Sequence, residues 1–257
     1  HLYLPRSYAS GRPAPLIVAL HGYSSNSAEL ASYFKLPAQA EQRGFLLALP
    51  DGTVDPDGKR YWNATNACCD FHRGGVDDSA YLSQLIDTVK REYTVDSARV
   101  FVVGHSNGGF MTHRMACEHA GQITAIASLA GVLWTDPALC HPSRPVSVLQ
   151  IHGTADETIG FNGGSNGPGR DFPGAEQTVA RWRSMDGCGA AADTTAPRLD
   201  LDSAVPGAET AVTSYSCAAG TRVQLWRMDG SHHVPTLSSA FAPAVIDFLY
   251  ASAEASR

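Results

Sequence analysis

An α/β protein, with a mostly parallel sheet and helices on both faces, is what this sequence predicts, and three observations carry the prediction. Short apolar runs rich in Val, Ile and Leu alternate with stretches of helical period. The runs are continuous, as strands buried on both faces require, whereas a half-exposed strand would alternate apolar with polar residues. The run Arg99-Val100-Phe101-Val102-Val103 passes through Gly104-His105-Ser106-Asn107-Gly108-Gly109 directly into a helix-like stretch. Strand, tight turn and helix in that order are the repeating unit of a doubly wound sandwich.

The expected strands are 16–20, 45–49, 100–103, 123–129, 146–151 and 222–228, each a Val/Ile/Leu/Phe-rich run. Between and after them, 28–42, 78–93, 109–120, 175–185 and 238–253 carry helical spacing; Leu82, Leu85, Ile86 and Val89 mark one apolar stripe. Asn26, three residues before Glu29, is a capping pair for the first helix. Pro37 should split that helix and serve as the first residue of its second piece. Two irregular stretches, 51–75 and the glycine-rich 160–174, follow strand ends, where open α/β sheets place their sites. The 131–145 connection is too short for a helical cap, so the site should lie open. No repeat or long linker interrupts the chain, and 1–257 reads as a single domain.

Composition narrows the function classes. With 44% hydrophobic residues, 17% charged residues and a net charge of −6, the chain suits a globular domain and gives nucleic acid no basic surface. No apolar run approaches the roughly 18 residues that span a bilayer, so no membrane partner is expected. Six cysteines, an even number, lean toward disulfides and an oxidising compartment. A metal site is disfavoured, because no Cys-x-x-Cys pair and no His-x-x-x-His on a helix occurs. A chain opening at His1 is expected to be a processed product.

The chemistry centres on Gly-x-Ser-x-Gly at 104–108. As a bare motif it also makes ordinary turns, but between a strand and a helix it is the nucleophile elbow that presents a serine above a sheet. A serine hydroxyl needs a base and an orienting carboxylate, which follow in the order Ser, Asp/Glu, His. Beyond residue 152 the only histidines are His232 and His233, and the residues alone do not choose between them. Asp156, in His152-Gly153-Thr154-Ala155-Asp156 just past a strand, is the expected acid. Its neighbour Glu157 should point elsewhere, and Asp136, Asp171 and Asp186 fall in loops or at a helix end. Backbone amides of Asn107, at the positive end of its helix, and of Tyr23, in His21-Gly22-Tyr23-Ser24, are expected to form an oxyanion hole. His21 should brace that loop, and His105 should pack beside the elbow. Trp62, Trp134 and the Tyr23 ring are candidate substrate platforms, against the plainer reading of core packing.

Several segments together resemble the polyhydroxybutyrate depolymerase family of α/β-hydrolases, which also includes feruloyl and acetylxylan esterases. They are 15–22 (Pro-Leu-Ile-Val-Ala-Leu-His-Gly), Leu49-Pro50-Asp51-Gly52, Trp62-Asn63 with Cys68-Cys69, Gly75-Val76-Asp77-Asp78, the elbow at 104–109, the segment 151–156, and Gly230-Ser231-His232 with Pro235. The resemblance implies an α/β-hydrolase fold without a large cap domain. Its Gly-Gly-His-x-x-Pro pattern falls on His232, with Ser231 in place of the second glycine. It also implies the disulfides Cys188–Cys217 and Cys117–Cys140, leaving Cys68 and Cys69 as a vicinal pair, and it implies secretion.

The expected function is a secreted serine esterase, monomeric, with no cofactor and no metal, acting on a polymeric or bulky ester. A polyester depolymerase ranks first and a feruloyl or acetylxylan esterase second. A non-catalytic binding protein that keeps the fold is the remote third.

Overall fold

The computed structural model describes residues 1–255. In chain order the strands are β1 (Leu2–Tyr3), β2 (Ala14–Leu20), β3 (Leu46–Ala48), β4 (Thr53–Val54), β5 (Arg60–Tyr61), β6 (Val95–His105), β7 (Ala125–Leu129), β8 (Ser147–Gly153), β9 (Gly163–Ser165), β10 (Asp171–Pro173), β11 (Thr210–Ser216) and β12 (Arg222–Met228). The helices are α1 (Ser27–Tyr33), α2 (Leu36–Arg43), α3 (Asp78–Glu92), α4 (Asn107–Glu118), α5 (Ala175–Met185) and α6 (Phe241–Ala255). Eight strands form one sheet in the order β1-β3-β2-β6-β7-β8-β12-β11. The inner pairs are parallel and only the outermost pairs, β1 with β3 and β11 with β12, are antiparallel.

Continuous apolar runs become central strands because side chains on both faces are buried. From β2, Leu16, Val18 and Leu20 enter the cluster that holds Leu82, Ile86, Phe110, Met111 and Trp182. Ile17 and Ala19 point the other way, into the cluster of Leu30, Phe34, Phe45, Phe241 and Leu249. Burying each such side chain contributes about 1.5–3 kcal/mol, so both helical layers are held by the same strand. The chain leaves β2 for β3 on one side and returns through β6 on the other. The reversal opens a crevice between the carboxyl ends of β2 and β6, the place where doubly wound sheets bind ligands.

The edge strands carry no apolar run. β1 is two residues long, and β11 (Thr-Ala-Val-Thr-Ser-Tyr-Ser) is polar and half-exposed. The stretches 51–75 and 160–174 each contain a short hairpin, β4–β5 and β9–β10. The first helical stretch is indeed two helices, with Asn26 Oδ1 accepting from the Glu29 amide. The break falls at Lys35, which is left-handed at φ 52°, and Pro37 is the second residue of α2 rather than its first. Disulfides join Cys68 to Cys69, Cys117 at the end of α4 to Cys140, and Cys188 after α5 to Cys217 after β11. No helix among the described residues is long and apolar enough to cross a membrane.

One buried carboxyl works against the fold. Asp186, at the end of α5, accepts from the Val146 amide through one oxygen, while the other has no partner. Burial raises its pKa from 3.8 to about 7. A raised folded-state pKa contributes stability at low pH that is lost as pH climbs from about 4 through about 7. Asp186→Asn should therefore melt higher than wild type at pH 8, and the gap should close toward pH 5. Thermal melts across that range check it; a gap that does not widen with pH contradicts the unpaired carboxylate.

Candidate active site

Ser106 sits at the tip of β6 with φ 54° and ψ −119°, in a left-handed region that a non-glycine residue occupies only when its surroundings enforce it. The Ser106 amide donates to Leu129 O at 2.8 Å, and the Ser106 carbonyl accepts from Phe110 N at 3.0 Å, anchoring the turn on both sides. A Cβ on Gly104 would run into the Gly108 carbonyl, and one on Gly108 would run into Leu20 O. Both glycines are therefore required by backbone contact.

The histidine that meets Ser106 is His233, not the His232 on which the family pattern falls. His233 Nε2 lies 2.9 Å from Ser106 Oγ, and its Nδ1 lies 2.8 Å and 3.0 Å from the two oxygens of Asp156. His232 points outward, its side chain 70% exposed, with Nδ1 3.1 Å from Glu157 Oε2. The pairs Asp156-Glu157 and His232-His233 lie in the turns that follow β8 and β12, and within each pair the two neighbouring side chains diverge. Asp156 and His233 face in; Glu157 and His232 face out. Three contacts fix that register. The Ala155 amide donates to Ser231 O, the Gly230 amide donates to Thr154 Oγ1, and His105 Nε2 lies 2.9 Å from His233 O. Counting back from Pro235, the inward histidine stands two residues away, whereas the family pattern counts three.

Asp156 is buried yet held ionised. Burial pushes its carboxyl up, but hydrogen bonds from His152 and His233 outweigh that and leave it well below the usual carboxylate range. Amides of Thr158 and Ile159 also donate to its Oδ1, at 2.9 and 2.8 Å. Burial, then the neighbouring His233, lowers the His105 pKa to about 4, which keeps that ring neutral.

The Tyr23 and Asn107 backbone amides flank Ser106 and have no backbone acceptor among the described residues. The loop bearing Tyr23 is braced from beneath: Gly52 N donates to His21 Nε2 at 3.0 Å, so the Nδ1–H of His21 donates to Gly22 O at 2.8 Å. Trp62 is no substrate platform. It is fully buried, and its indole donates to His21 O. Its backbone N–H donates to Asn107 Oδ1 and its carbonyl accepts from Asn107 Nδ2, so it ties the loop bearing Tyr23 to the start of α4. Trp134 is only 7% exposed. It lines a polar groove with Arg73, Arg114 and Arg170, and a smaller hollow with Arg181, but not the pocket that contains Ser106. Its carbonyl is spent on Arg181.

The Ser106 pocket, of about 320 Å³, is walled by Tyr23, Leu30, Tyr33, His105 and Val234, with Ser25 and Glu29 as polar members. Both tyrosine hydroxyls are engaged, Tyr23 with Asp55 and Tyr33 with Pro235 O, which fixes the rings. Among the described residues, Asp55, Asp57 and His72 bring three ligating atoms within 4.8 Å of one another. Asp55 already accepts from Tyr23 Oη and from the Asp57 and Lys59 amides, so the cluster's evident work is to hold the Tyr23 loop.

A strained serine, an inward histidine and a shielded carboxylate stand in line on the switch crevice of an α/β-hydrolase fold. Comparison with known proteins gives the family. The esterase family model, described as "Putative esterase", matches residues 1–188, and the chain belongs to that family. Feruloyl esterase B of Piromyces equi is 28% identical over 236 residues, covering 89% of this chain and 41% of that protein. The bifunctional acetylxylan esterase/xylanase XynS20E of Neocallimastix patriciarum is 27% identical over 251 residues, covering 97% of this chain and 32% of its own length. The chain thus spans less than half of either relative. Among solved structures, the acetyl xylan esterase from Aspergillus awamori superposes with a TM-score of 0.68 at 17% identity, covering 97% of this chain and 93% of that one. That likeness is one of fold.

The divergence of the two histidines predicts a sharp asymmetry. His233→Ala should lower kcat/KM for a simple ester by about a thousandfold or more, while His232→Ala should stay within about threefold of wild type. Steady-state kinetics on the two variants decide; a larger loss at His232 would reverse the assignment.

Proposed function

We propose that this protein is a serine carboxylic ester hydrolase whose acyl pocket takes an aromatic acid, the feruloyl-type esterase reading. The observation that carries the reading is the Ser106–His233–Asp156 array opening into the pocket walled by Tyr23 and Tyr33. Ser106 Oγ attacks the ester carbonyl carbon as His233 Nε2 takes its proton, and Asp156 steadies the resulting imidazolium. The Tyr23 and Asn107 amides receive the oxyanion, each such donor worth about 3 kcal/mol in the transition state. Collapse expels the alcohol with the proton from His233, and water then cleaves the acyl-enzyme by the same steps.

The names of the relatives, feruloyl and acetylxylan esterases, support esters of plant cell-wall polysaccharides as the substrate class. Neither Trp62 nor Trp134 lines the Ser106 pocket, so no indole platform beside the serine supports a polyester chain. A volume of about 320 Å³ with two fixed tyrosine rings suits a planar aromatic acyl group better than an acetyl group alone. Ser25 Oγ donates to Glu29 Oε2 at 2.6 Å, and the second Glu29 oxygen is free to accept a phenolic hydroxyl. Three disulfides support a site of action in an oxidising, extracellular setting.

Two measurements test this. Ser106→Ala should abolish turnover of p-nitrophenyl acetate and methyl ferulate alike; retained activity would sink the nucleophile assignment. Wild type should prefer methyl ferulate to methyl cinnamate, and Glu29→Gln should erase most of that preference by raising KM for the ferulate. A wild type that favours a 3-hydroxybutyrate polyester film or an acetylated xylan over ferulate by orders of magnitude would overturn the acyl-group reading while leaving the esterase intact.

A further inference from the structure

Behind the catalytic acid runs a line of fully buried polar side chains that the reaction as described does not use. Trp182 from α5, His113 from α4, and Gln150 and His152 from β8 are all inaccessible to solvent. Trp182 Nε1 lies 3.0 Å from His113 Nδ1, and His113 Nε2 lies 2.9 Å from Gln150 Oε1. Gln150 Nε2 lies 2.9 Å from Gly131 O and 3.2 Å from His152 Nδ1. His152 Nε2 lies 2.7 Å from Ile159 O and 3.3 Å from Asp156 Oδ2.

The proton positions along this line follow from groups that have only one role. An indole N–H can only donate, so His113 Nδ1 is bare and its proton sits on Nε2, where it donates to Gln150 Oε1. A backbone carbonyl can only accept, so the Gln150 atom facing Gly131 O must be the amide nitrogen. Its second hydrogen then goes to His152 Nδ1. From the far end, Ile159 O requires a proton on His152 Nε2, which again leaves Nδ1 bare. The two ends agree without sharing an assumption. Burial lowers the His113 pKa to about 4, so that ring stays neutral through the working range.

We propose that Trp182, His113, Gln150 and His152 form a one-way hydrogen-bond relay whose function is to hold His152 as the Nε2–H tautomer, donating to Asp156. His152 is then a positioning residue: it shares the charge of Asp156 Oδ2, the same oxygen that accepts from His233 Nδ1, and fixes its direction. The inference deepens the serine-esterase reading and rests on it for its catalytic consequence, although the tautomers themselves do not.

The tautomers are read in the unmodified protein by long-range 1H–15N NMR with 15N-labelled histidine, assigning resonances with single His→Gln variants. Both His113 and His152 should show a protonated Nε2 and a bare Nδ1, as their hydrogen-bond partners require. Either ring found as the Nδ1–H tautomer, or cationic, overturns the relay.

Kinetics then test its purpose. His152→Phe keeps a ring but removes the donor. It should lower kcat by about 10- to 100-fold, the worth of a hydrogen bond to a charged group, with KM within about twofold. Asp156, relieved of a competing donor, should hold the proton of His233 more tightly. The acidic limb of the kcat/KM profile should move to higher pH by about half a unit or more. His152→Gln, whose amide can donate from near the Nε2 position, should recover most of the loss. A His152→Phe enzyme with an unshifted acidic limb, or a Gln variant no better than the Phe variant at equal thermal stability, refutes the positioning role. Should the Phe variant fail to fold, the tautomer measurement on wild type and the His152→Gln profile decide. Failure of Ser106→Ala to lose activity would instead strike the esterase reading and leave the tautomers untouched.

Discussion

Everything at this site depends on one close approach of backbone to backbone. Gly108, in the first turn of α4, lies so near the Leu20 carbonyl at the end of β2 that no side chain fits between them. That proximity has two consequences. It forces the turn from β6 into α4 to be sharp, which drives Ser106 into its left-handed conformation. It also brings the loop after β2 beside the turn, so that the Tyr23 amide joins the Asn107 amide from a segment more than eighty residues distant. Parallel neighbours β2 and β6 end level, with Leu20 registered against Gly104, and the crevice at their carboxyl ends holds nucleophile and oxyanion donors together. The strain at Ser106 is therefore a product of sheet packing, in which both flanking strands are buried on both faces.

A second constraint chooses between the adjacent histidines. The segment 229–235 turns at 229–230 and is pinned to the 153–157 turn by the Ala155 amide on Ser231 O and the Gly230 amide on Thr154 Oγ1, and the neutral His105 ring bonds the His233 carbonyl. With that backbone held, His233 faces Asp156 and His232 faces Glu157. The same geometry gives His232 and Glu157 to solvent, where an exposed ion pair contributes little. The elbow thus supplies its own support: His105, the residue before Ser106, holds the backbone of His233.

The fold class was legible because parallel strands leave a strong mark, and β2, β6, β7, β8 and β12 all coincide with apolar runs. β1, β11 and the two hairpins were not, since edge and two-residue strands have little apolar surface to display. Ser106 and Asp156 are linked through His233, and Tyr23 shares the Ser106 pocket. The choice of His232 failed because a pattern counted from Pro235 carries no information about which way a side chain points. A readable signal did exist in the side-by-side acid pair Asp156-Glu157 and histidine pair His232-His233, in which only one member of each can face inward. Trp62 misled for a different reason. An aromatic residue in a glycine- and asparagine-rich loop looks exposed, yet its backbone and indole are consumed in bracing the oxyanion loops. The roles of His113, Gln150 and His152 depend on contacts between β8, α4 and α5, which no local pattern encodes.

Two buried carboxyls show how this fold decides where a charge will be kept. Asp156 receives donors from two amides and two imidazoles, and this saturation outweighs its burial, so it stays ionised. Asp186, comparably buried, receives one amide and is driven toward the neutral form. Desolvation acts on both; the number and kind of donors separates them. Four large polar side chains buried between the sheet and helices α4 and α5 would be costly if any were left unpaired, because an unmet donor or acceptor there keeps its full desolvation penalty. Each is paired, and each pairing has a single permitted direction. A buried polar chain of that kind adds little to stability that an apolar core could not supply. What it adds is a fixed proton position at its end, and that end is the carboxylate that orients the base.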